Sequence, residues 1–235
     1  MSLIWHNNDM TDMQSPEMKS DTTSTRQRLL EVACELFALN GFKSTTISDI
    51  CTQAQANIAA VNYHFGSKED LYFAAWRHAF LYAQRLYPIH GNLPADASPR
   101  ERLRATIYSM LHRVMDTGKL GYAGQLLLRE MGQESILKHE IRHQVIEPMR
   151  EHVGKLMFEL VGENVPPTVL RMCIFSFISQ CLSIGFKGGR LPPEFIDKPV
   201  DDQLVEQFTD HILEFTLGGI HAIREQYHHE NGNQH

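Results

Sequence analysis

The chain has 235 residues and a formal net charge of −6, with 22 Lys and Arg side chains against 28 Asp and Glu. This acidic balance argues against a protein that coats nucleic acid non-specifically, and no apolar run reaches the length of a membrane span. The four cysteines show neither C-x-x-C nor zinc-finger spacing, so buried free thiols and a cytoplasmic location are expected, with redox sensing as the alternative.

The N-terminal segment, residues 1–23, is polar and net acidic, and it lacks the basic start and apolar core of a signal peptide. We expect it to be disordered, because it has few apolar side chains to bury. A first helix is predicted from Ser24 or Thr25 to Leu39, where apolar residues recur at helical spacing. Asn40-Gly41 ends this helix, since glycine accepts the left-handed conformation that follows a helix cap.

Two short helices follow the first one. One is predicted at Ile47–Gln53, with Thr46 as its N-cap and Asp49 in the position of a capping box. The next is predicted at about Ile58–Tyr63, with Asn57 as its N-cap. Two short helices joined by a tight turn have the size of a helix-turn-helix, whose second helix presents side chains to base edges in the major groove of DNA.

A long fourth helix is predicted from Lys68 to about Tyr87, capped by Ser67 and ended by Pro88. It is apolar around much of its circumference, which is typical of a helix buried on more than one side. The sequence shows no strand-like alternation and no phosphate-binding glycine loop, so the fold class is all-α with about nine helices. The remaining helices are predicted at residues 99–116, 122–131, 134–161 (with Pro148 inside), 167–186 and 200–227.

The residues VNYHFGSKEDL, from Val61 to Leu71, closely resemble the signature at the end of the recognition helix in the tetracycline-repressor (TetR) family. The preceding FALNGF and TTISDI match the same family, so the resemblance covers about Thr25 to Leu71. It implies a homodimer with a three-helix DNA-binding head, residues 24–70, and a helical ligand-binding and dimerisation body, residues 71–228. Residues 229–235 are then a flexible tail, and the apolar eighth and ninth helices fit the family's dimer interface.

A second resemblance lies in the body. The stretches LLREM (127–131), HQVIEPMREHV (143–153) and SQCLSIGF (179–186) look like a TetR subgroup whose body domain is poorly characterised. Bacterial members of that subgroup are linked to drug sensitivity and efflux. This resemblance does not identify a ligand.

The resemblance also implies which residues contact DNA. Tyr63 and His64 match positions that contact the phosphate backbone, with packing against the first helix as the alternative. The charge of Lys68 adds to the dipole at a helix start and favours phosphate, with a solvated lysine as the alternative. Further backbone contacts are expected from Lys43, Ser44, Thr45 and Thr46, and base contacts from Asn57, Ala59 and Asn62; for Asn57 the alternative is capping alone.

Two positions depart from the family pattern. The family usually has glycine in the turn between the two short helices, and here Gln55 or Ala56 occupies that place. The turn is therefore expected to use a non-glycine residue in the left-handed conformation, at some strain. Asn62 replaces a common tyrosine, so the family's base preference does not carry over to this chain.

Candidate ligand-binding residues are bulky or polar side chains in the predicted body. Ordinary core packing is the alternative for each one. Arg129 lies beside Glu130 in an otherwise apolar helix, where the two side chains either bind a ligand or pair with each other or with neighbours. The candidates are Trp76, Phe80, Tyr108, Met110, Met115, Arg129, Phe175, Phe177 and Gln180.

The thirteen histidines raise the question of metal sensing, since His139 and His143 are spaced i, i+4 on one helical face. No cysteine joins them, so a solvated role is preferred, and no metal or cofactor is expected. No nucleophile–base pair is present, so the chain is not expected to be an enzyme. The expected function is that of a repressor released from a near-palindromic operator by an apolar or amphipathic inducer, with control by a protein partner as the alternative.

Overall fold

The computed structural model describes residues 24–116, 118–119, 121–131, 138–184 and 200–232. Within these ranges every regular element is a helix and no strand is present, as the sequence predicts. The predicted disordered segment, residues 1–23, lies outside the described residues. In the described part of the chain, no helix is both long and apolar enough to cross a membrane.

The N-terminal head contains three helices: α1 (Thr25–Asn40), α2 (Ile47–Gln53) and α3 (Ile58–Phe65). Their predicted bounds are confirmed except at two ends: α1 runs one residue and α3 two residues beyond the predicted end. The predicted N-caps Thr46 and Asn57 are confirmed, and Ser24 caps α1 in the same way, because each side chain accepts a hydrogen bond from the backbone N–H three residues on. The apolar faces of the three helices meet in a core that includes Leu29, Ala33, Phe37, Ile50 and Val61.

Helix α4 (Lys68–Leu86) joins the head to the rest of the molecule. Ser67 caps its start, where the serine hydroxyl accepts a hydrogen bond from the backbone N–H of Asp70 at 3.0 Å. Leu71, Tyr72, Ala75 and Trp76 are buried along this helix, in the same cluster of apolar residues as the head core. The head core therefore continues into α4 without a break.

The body contains α5 (Pro99–Met115), α6 (Gly121–Met131), α7 (Lys138–Val161), α8 (Pro167–Ser183) and α9 (Asp202–Gly232). Two residues of α6, Ala123 and Leu126, belong to the core that α1 and α4 share, so α6 packs against the head. The other body helices form a second core, which includes Leu103, Ile107, Leu111, Val153, Met157, Phe177, Cys181 and Val205.

Helix α7 is continuous but irregular. It starts as an α-helix at Lys138–Ile141, passes through a π-helical turn at Arg142–Ile146 and continues as an α-helix at Glu147–Val161. The turn lies directly before Pro148, whose missing N–H and bulky ring are incompatible with regular α-helical bonding to the preceding turn. Proline at this position predicts a kink in the helix; the structure shows the π-helical turn, and the kink itself stays a prediction.

The α5–α6 contact depends on a small residue. A Cβ atom at Gly124 would lie 2.1 Å from the carbonyl oxygen of Arg113, so only glycine allows this approach of the two helices. At the C-terminus, α9 continues to Gly232, beyond its predicted end near Tyr227. The predicted start of α7 at residues 134–135 and the predicted end of α8 at residue 186 lie outside the described residues.

All four cysteines are free thiols, as predicted. Cys34, Cys51 and Cys181 are buried and Cys173 is half-buried. Burial raises the pKa of Cys34 and of Cys181 to about 12, so both remain protonated at neutral pH.

Candidate DNA-binding surface and ligand cavity

Helix α3 has one buried face and one face open to solvent. Val61 points into the head core and is 1% exposed. Ala59, Asn62 and Tyr63 lie on the exposed side, and Tyr63 is 85% exposed. The Asn62 amide makes no hydrogen bond with any residue that the structure describes. An exposed face with a small residue, a free amide and a free phenol has the shape and chemistry that a groove of DNA requires.

The turn between α2 and α3 uses a left-handed residue that is not glycine, as the sequence predicts. Gln55 has a φ of 51°, and the next amide, that of Ala56, donates to the carbonyl of Cys51 at 2.9 Å. Arg28 of α1 supports this turn, because its Nε donates to the carbonyl of Ala54 at 3.3 Å. The sequence analysis did not identify Arg28, because its partner is 26 residues away and no local pattern predicts that contact.

Two residues that were expected to contact phosphate, Thr45 and Thr46, use their hydroxyl groups in hydrogen bonds within the protein. Thr45 is buried, and its hydroxyl lies 3.1 Å from the carbonyl oxygen of Leu36 and 2.9 Å from that of Gly41. The prediction that Thr45 contacts DNA is therefore wrong, because its hydroxyl is not accessible. Thr46 and Asp49 form the predicted capping box, and the Thr46 hydroxyl donates to the Asp49 carboxylate at 2.7 Å. Capping therefore accounts for the position of Thr46.

The remaining predicted contacts lie around α3. Lys43 and Ser44 are exposed in the loop before α2. Lys68 is half-buried, with its Nζ 4.4 Å from the centre of the Phe42 ring. His64 is half-buried and meets the Tyr63 ring edge-on, with 4.9 Å between ring centres.

Asn57 has a defined structural role. Its Oδ1 accepts a hydrogen bond from the backbone N–H of Ala60 at 2.8 Å, which caps α3. The side chain is nevertheless exposed, and its amide N–H groups point to no described acceptor. Asn57 also lines a groove of about 740 Å³ that runs between the start of α1, the end of α2 and α3. Tyr63 and His64 line the same groove, so the structure brings these three predicted residues together.

In the body, the structure places three predicted ligand-binding residues around one internal cavity. Trp76 and Phe80 of α4 stack with 5.6 Å between ring centres, and Met110 of α5 lies across the cavity from them. The cavity measures about 40 Å³, which is room for one or two water molecules. The rest of its wall comes from α5, α6, α7 and α8, with Arg113, Val114, Ala123, Gly124, Leu127, Val145, Met149 and Leu182.

The other predicted ligand-binding residues lie away from this cavity. Met115 and Phe177 are buried in the body core, where they pack against neighbouring helices. Tyr108 lines a surface cleft beside Arg104 and packs edge-on against His112, with 4.3 Å between ring centres. Phe175 and Gln180 also lie away from the cavity: Phe175 is 73% exposed on α8, and the Gln180 amide donates to Ser176 of its own helix at 3.4 Å.

Arg129 and Glu130 connect α6 to the head, which corrects the prediction that Arg129 binds a ligand. The Nε of Arg129 donates to the carbonyl of Ala38 at 2.8 Å, and its Nη2 donates to the carbonyl of Leu39. The phenol of Tyr72 in α4 donates to Glu130 Oε1. Burial raises the pKa of Glu130 above its usual value, and its second oxygen, Oε2, is buried without a hydrogen-bond partner.

The histidine pair is exposed, as preferred from the sequence. His139 and His143 lie with 4.4 Å between ring centres, and His143 Nδ1 is 2.7 Å from the Glu147 carboxylate. That contact lowers the pKa of Glu147. Among the residues that the structure describes, no group of three or more side chains is arranged to hold a metal ion.

Large apolar side chains are exposed on α8 and α9. Met172 and Phe175 of α8 are 61% and 73% exposed, and Phe215 of α9 is 66% exposed. Beside them a groove of about 810 Å³ runs between α7 and α8. Exposed apolar side chains of this size, where they lie together on a surface, are typical of a protein–protein interface.

Two family models match the chain. Residues 29–75 match the model of bacterial regulatory proteins of the tetR family. Residues 99–220, more than half of the chain, match the C-terminal domain of the HTH-type transcriptional dual regulator CecR. Together the two matches cover the head and most of the body.

Individual relatives agree with these matches. The chain is 27% identical over 189 residues to the HTH-type transcriptional dual regulator CecR of Shigella flexneri, covering 76% of this chain and 82% of that protein. It is 36% identical over 58 residues to the probable acrEF/envCD operon repressor of Escherichia coli K12, covering 25% of this chain and 26% of that protein. The fold is similar to that of AibR solved with isovaleryl coenzyme A and operator DNA, with a TM-score of 0.63 and 19% identity over 82% of this chain and 97% of AibR.

Proposed function

Since this chain belongs to the TetR family of bacterial regulatory proteins and carries the C-terminal domain of the CecR type, it is a transcriptional regulator, and we propose that it is a ligand-responsive repressor. In this proposal a homodimer binds a near-palindromic DNA operator. A small apolar or amphipathic inducer then binds the body and releases the dimer from DNA.

The exposed face of α3 carries this proposal. Asn62 offers both an amide donor and a carbonyl acceptor to base edges, and Ala59 leaves room for close approach. Tyr63 offers a hydroxyl to a phosphate. These side chains project from a helix whose opposite side is anchored by Val61 in the head core, so the exposed face is held rigidly.

The exposed apolar residues of α8 and α9 support the homodimer. A dimer with two-fold symmetry buries the same surface of both copies, which removes Met172, Phe175 and Phe215 from water. Two α3 helices related in this way bind successive major grooves, which lie about 34 Å apart on one side of the duplex. That geometry requires an operator with two similar half-sites.

The internal cavity supports inducer binding in the body. Its small volume means that binding requires side chains of the wall to move. Ligand pockets usually measure about 300–1,000 Å³, whereas this cavity measures about 40 Å³. An inducer therefore has to displace side chains of the cavity wall, of which Trp76 and Phe80 are the two aromatic ones. Because both residues lie on α4, which shares a core with the head, that displacement changes the position of the head.

The small cavity also favours a second candidate function. A regulator that is controlled by a protein partner needs no space inside its body. The two candidates differ in a thermal unfolding experiment with a panel of apolar and amphipathic small molecules. A compound that raises the melting temperature of the wild type but not of a Trp76 variant supports an inducer, and no response to any compound favours the protein partner.

The DNA-binding half of the proposal is tested by a gel-shift titration. The full chain is titrated onto promoter DNA from beside its own gene, with unrelated DNA of equal length as the control. At moderate salt we expect binding to the promoter fragment at least about 1,000-fold tighter than binding to the control. Equal binding to both fragments would rule out an operator in that DNA.

A further inference from the structure

A cleft of about 320 Å³ lies where the head meets the body. Its walls come from α1 of the head, from α4, from Lys119, and from Tyr122 at the start of α6. It shares no lining residue with the groove beside α3 or with the internal cavity. At this volume it is within the range of small-molecule sites, unlike the internal cavity.

The cleft carries one carboxylate, that of Glu35, which pairs with none of the residues that the structure describes. Glu31 is fully partnered, because Gln27 donates to its Oε1 at 2.9 Å and the Lys119 ammonium lies 3.4 Å from its Oε2. Glu35, one helical turn further along α1, is half-buried and has no hydrogen bond or ion pair with any described residue. Lys119 balances Glu31, so the charge that remains in the cleft is that of Glu35.

The other side chains that line the cleft add aromatic surface and no formal charge, while Arg26 and Arg85 lie outside the lining but near enough for their charges to act on His78. Burial lowers the pKa of His78 from its usual value, so its imidazole is neutral at pH 7. Tyr82 and Tyr122 contribute aromatic rings to the walls. The negative charge of Glu35 reaches one of these rings, since it adds to burial in raising the pKa of Tyr122.

We propose that this cleft binds a small organic monocation, a quaternary or protonated amine with an aromatic or alkyl body. Glu35 is its counter-ion, and Tyr82 and Tyr122 are its aromatic walls. A cation gains most from an aromatic ring and a carboxylate when both are partly shielded from water, as Tyr122 and Glu35 are, whereas Tyr82 is exposed. An anion would be repelled by the Glu35 carboxylate, and a neutral molecule could gain a hydrogen bond from it but no charge–charge attraction.

The consequence for regulation rests on the proposed function. A bound cation contacts α1 of the head together with α4 and α6, so it favours one orientation of the head relative to the body. Any difference in its affinity between the DNA-bound and free forms appears as a change in operator affinity. The cleft is thus a second regulatory site, separate from the inducer cavity.

Calorimetric titration of the full chain without DNA tests the binding itself. The probes are benzyltrimethylammonium, the neutral benzyl alcohol and the anion phenylacetate. We expect one cation per chain, and binding of the neutral and anionic probes at least about tenfold weaker. Glu35→Gln should weaken cation binding by about tenfold or more, because it keeps the shape and removes the charge.

Glu163→Gln is the matched control, since Glu163 is an exposed glutamate far along the chain with no ion pair to a described residue. It should leave cation binding unchanged, and thermal unfolding checks that both variants fold. Absence of cation binding, or equal binding to wild type and Glu35→Gln, would overturn the proposal.

A second titration, onto operator DNA with and without saturating cation, tests the regulatory consequence. Operator affinity should change for the wild type and not for Glu35→Gln. If the cation binds in a Glu35-dependent way but operator affinity does not change, the regulatory role is overturned and the cleft remains a cation-binding site only. A chain that binds no DNA at all would refute the proposed function, while the calorimetric result would still decide whether the cleft binds cations.

Discussion

Arg129 of α6 caps the last turn of α1: its Nε donates a hydrogen bond to the carbonyl of Ala38 at 2.8 Å. Carbonyl groups at the end of a helix have no partner within the helix, and the helix dipole favours a positive charge at that end. Since the neighbouring Glu130 accepts a hydrogen bond from Tyr72 of α4, one turn of α6 holds both helices that position the head.

Removing this contact should loosen the head. Arg129→Ala is expected to lower the free energy of unfolding by about 1 kcal/mol, because it leaves the α1 carbonyl groups without a charged donor. Arg129→Lys keeps the charge and loses the forked geometry, so its loss should be smaller. Urea unfolding measures the free energy of unfolding of both variants. Equal stability of the wild type and Arg129→Ala would show that water replaces the guanidinium at no cost.

The phosphate contacts assigned to Tyr63 and Lys68 predict a change in salt dependence. The double variant Tyr63→Ala, Lys68→Ala should bind all DNA sequences more weakly by a similar factor. The slope of log affinity against log salt should fall by about 1, because one fewer cation is displaced from the DNA. A change in sequence preference instead would show that these side chains read bases.

Asn62 should behave in the opposite way. Asn62→Ala is expected to lose about 1–3 kcal/mol of discrimination at one position in each half-site, while the salt dependence stays unchanged. Binding measured against a set of operators with single base-pair changes gives this result directly. If Asn62→Ala bound every operator in the set more weakly by the same factor, Asn62 would not contribute to base recognition.

The left-handed turn predicts that glycine has opposite effects at two nearby positions. Gln55 has a φ of 51°, a conformation that glycine adopts without strain, so Gln55→Gly should raise stability by up to about 1 kcal/mol. Gln53, the last residue of α2, is helical, and Gln53→Gly should lower stability by about 0.5–1 kcal/mol. Thermal unfolding compares the two variants. Destabilisation by both would mean that the Gln55 side chain contributes more than its backbone strain costs.

The raised pKa of Glu130 predicts how stability depends on pH. Burial favours the protonated form in the folded state, so the folded chain binds more protons than the unfolded chain just above the usual pKa of glutamate. This contribution to stability is present at low pH and is lost as the pH rises. Glu130→Gln, which cannot ionise, should be more stable than the wild type at neutral pH and equal to it below about pH 4. If the difference in unfolding free energy between Glu130→Gln and the wild type stayed constant from about pH 4 to neutral pH, the raised pKa of Glu130 would be contradicted.

The head could be predicted from the sequence because its determinants are local. Thr46 with Asp49, and Asn57, are capping signals that act within a few residues, and the structure confirms both of them. The failure at Thr45 has a different origin. Its hydroxyl is paired with the Leu36 carbonyl nine residues earlier, a contact that depends on how the chain folds back after α1.

The body could be predicted less well because its site depends on contacts between distant helices. Trp76 and Phe80 line the internal cavity, as expected of bulky residues on a connector helix that face its partners, and their binding of a ligand stays a prediction. The contact of Arg129 with the head could not be predicted, because its partner Ala38 is 91 residues away. The cleft beside Glu35 was also missed, since three separate elements form its walls and no single segment carries its pattern.

The central claim is that a dimer reads two half-sites with two α3 helices. Its most direct test compares the affinity of the full chain for an operator with both half-sites and for the same DNA with one half-site scrambled, at moderate salt. We expect the scrambled operator to bind at least about 100-fold more weakly, because half of the base contacts are lost. Equal affinity for the two DNA fragments would contradict recognition by a symmetric dimer.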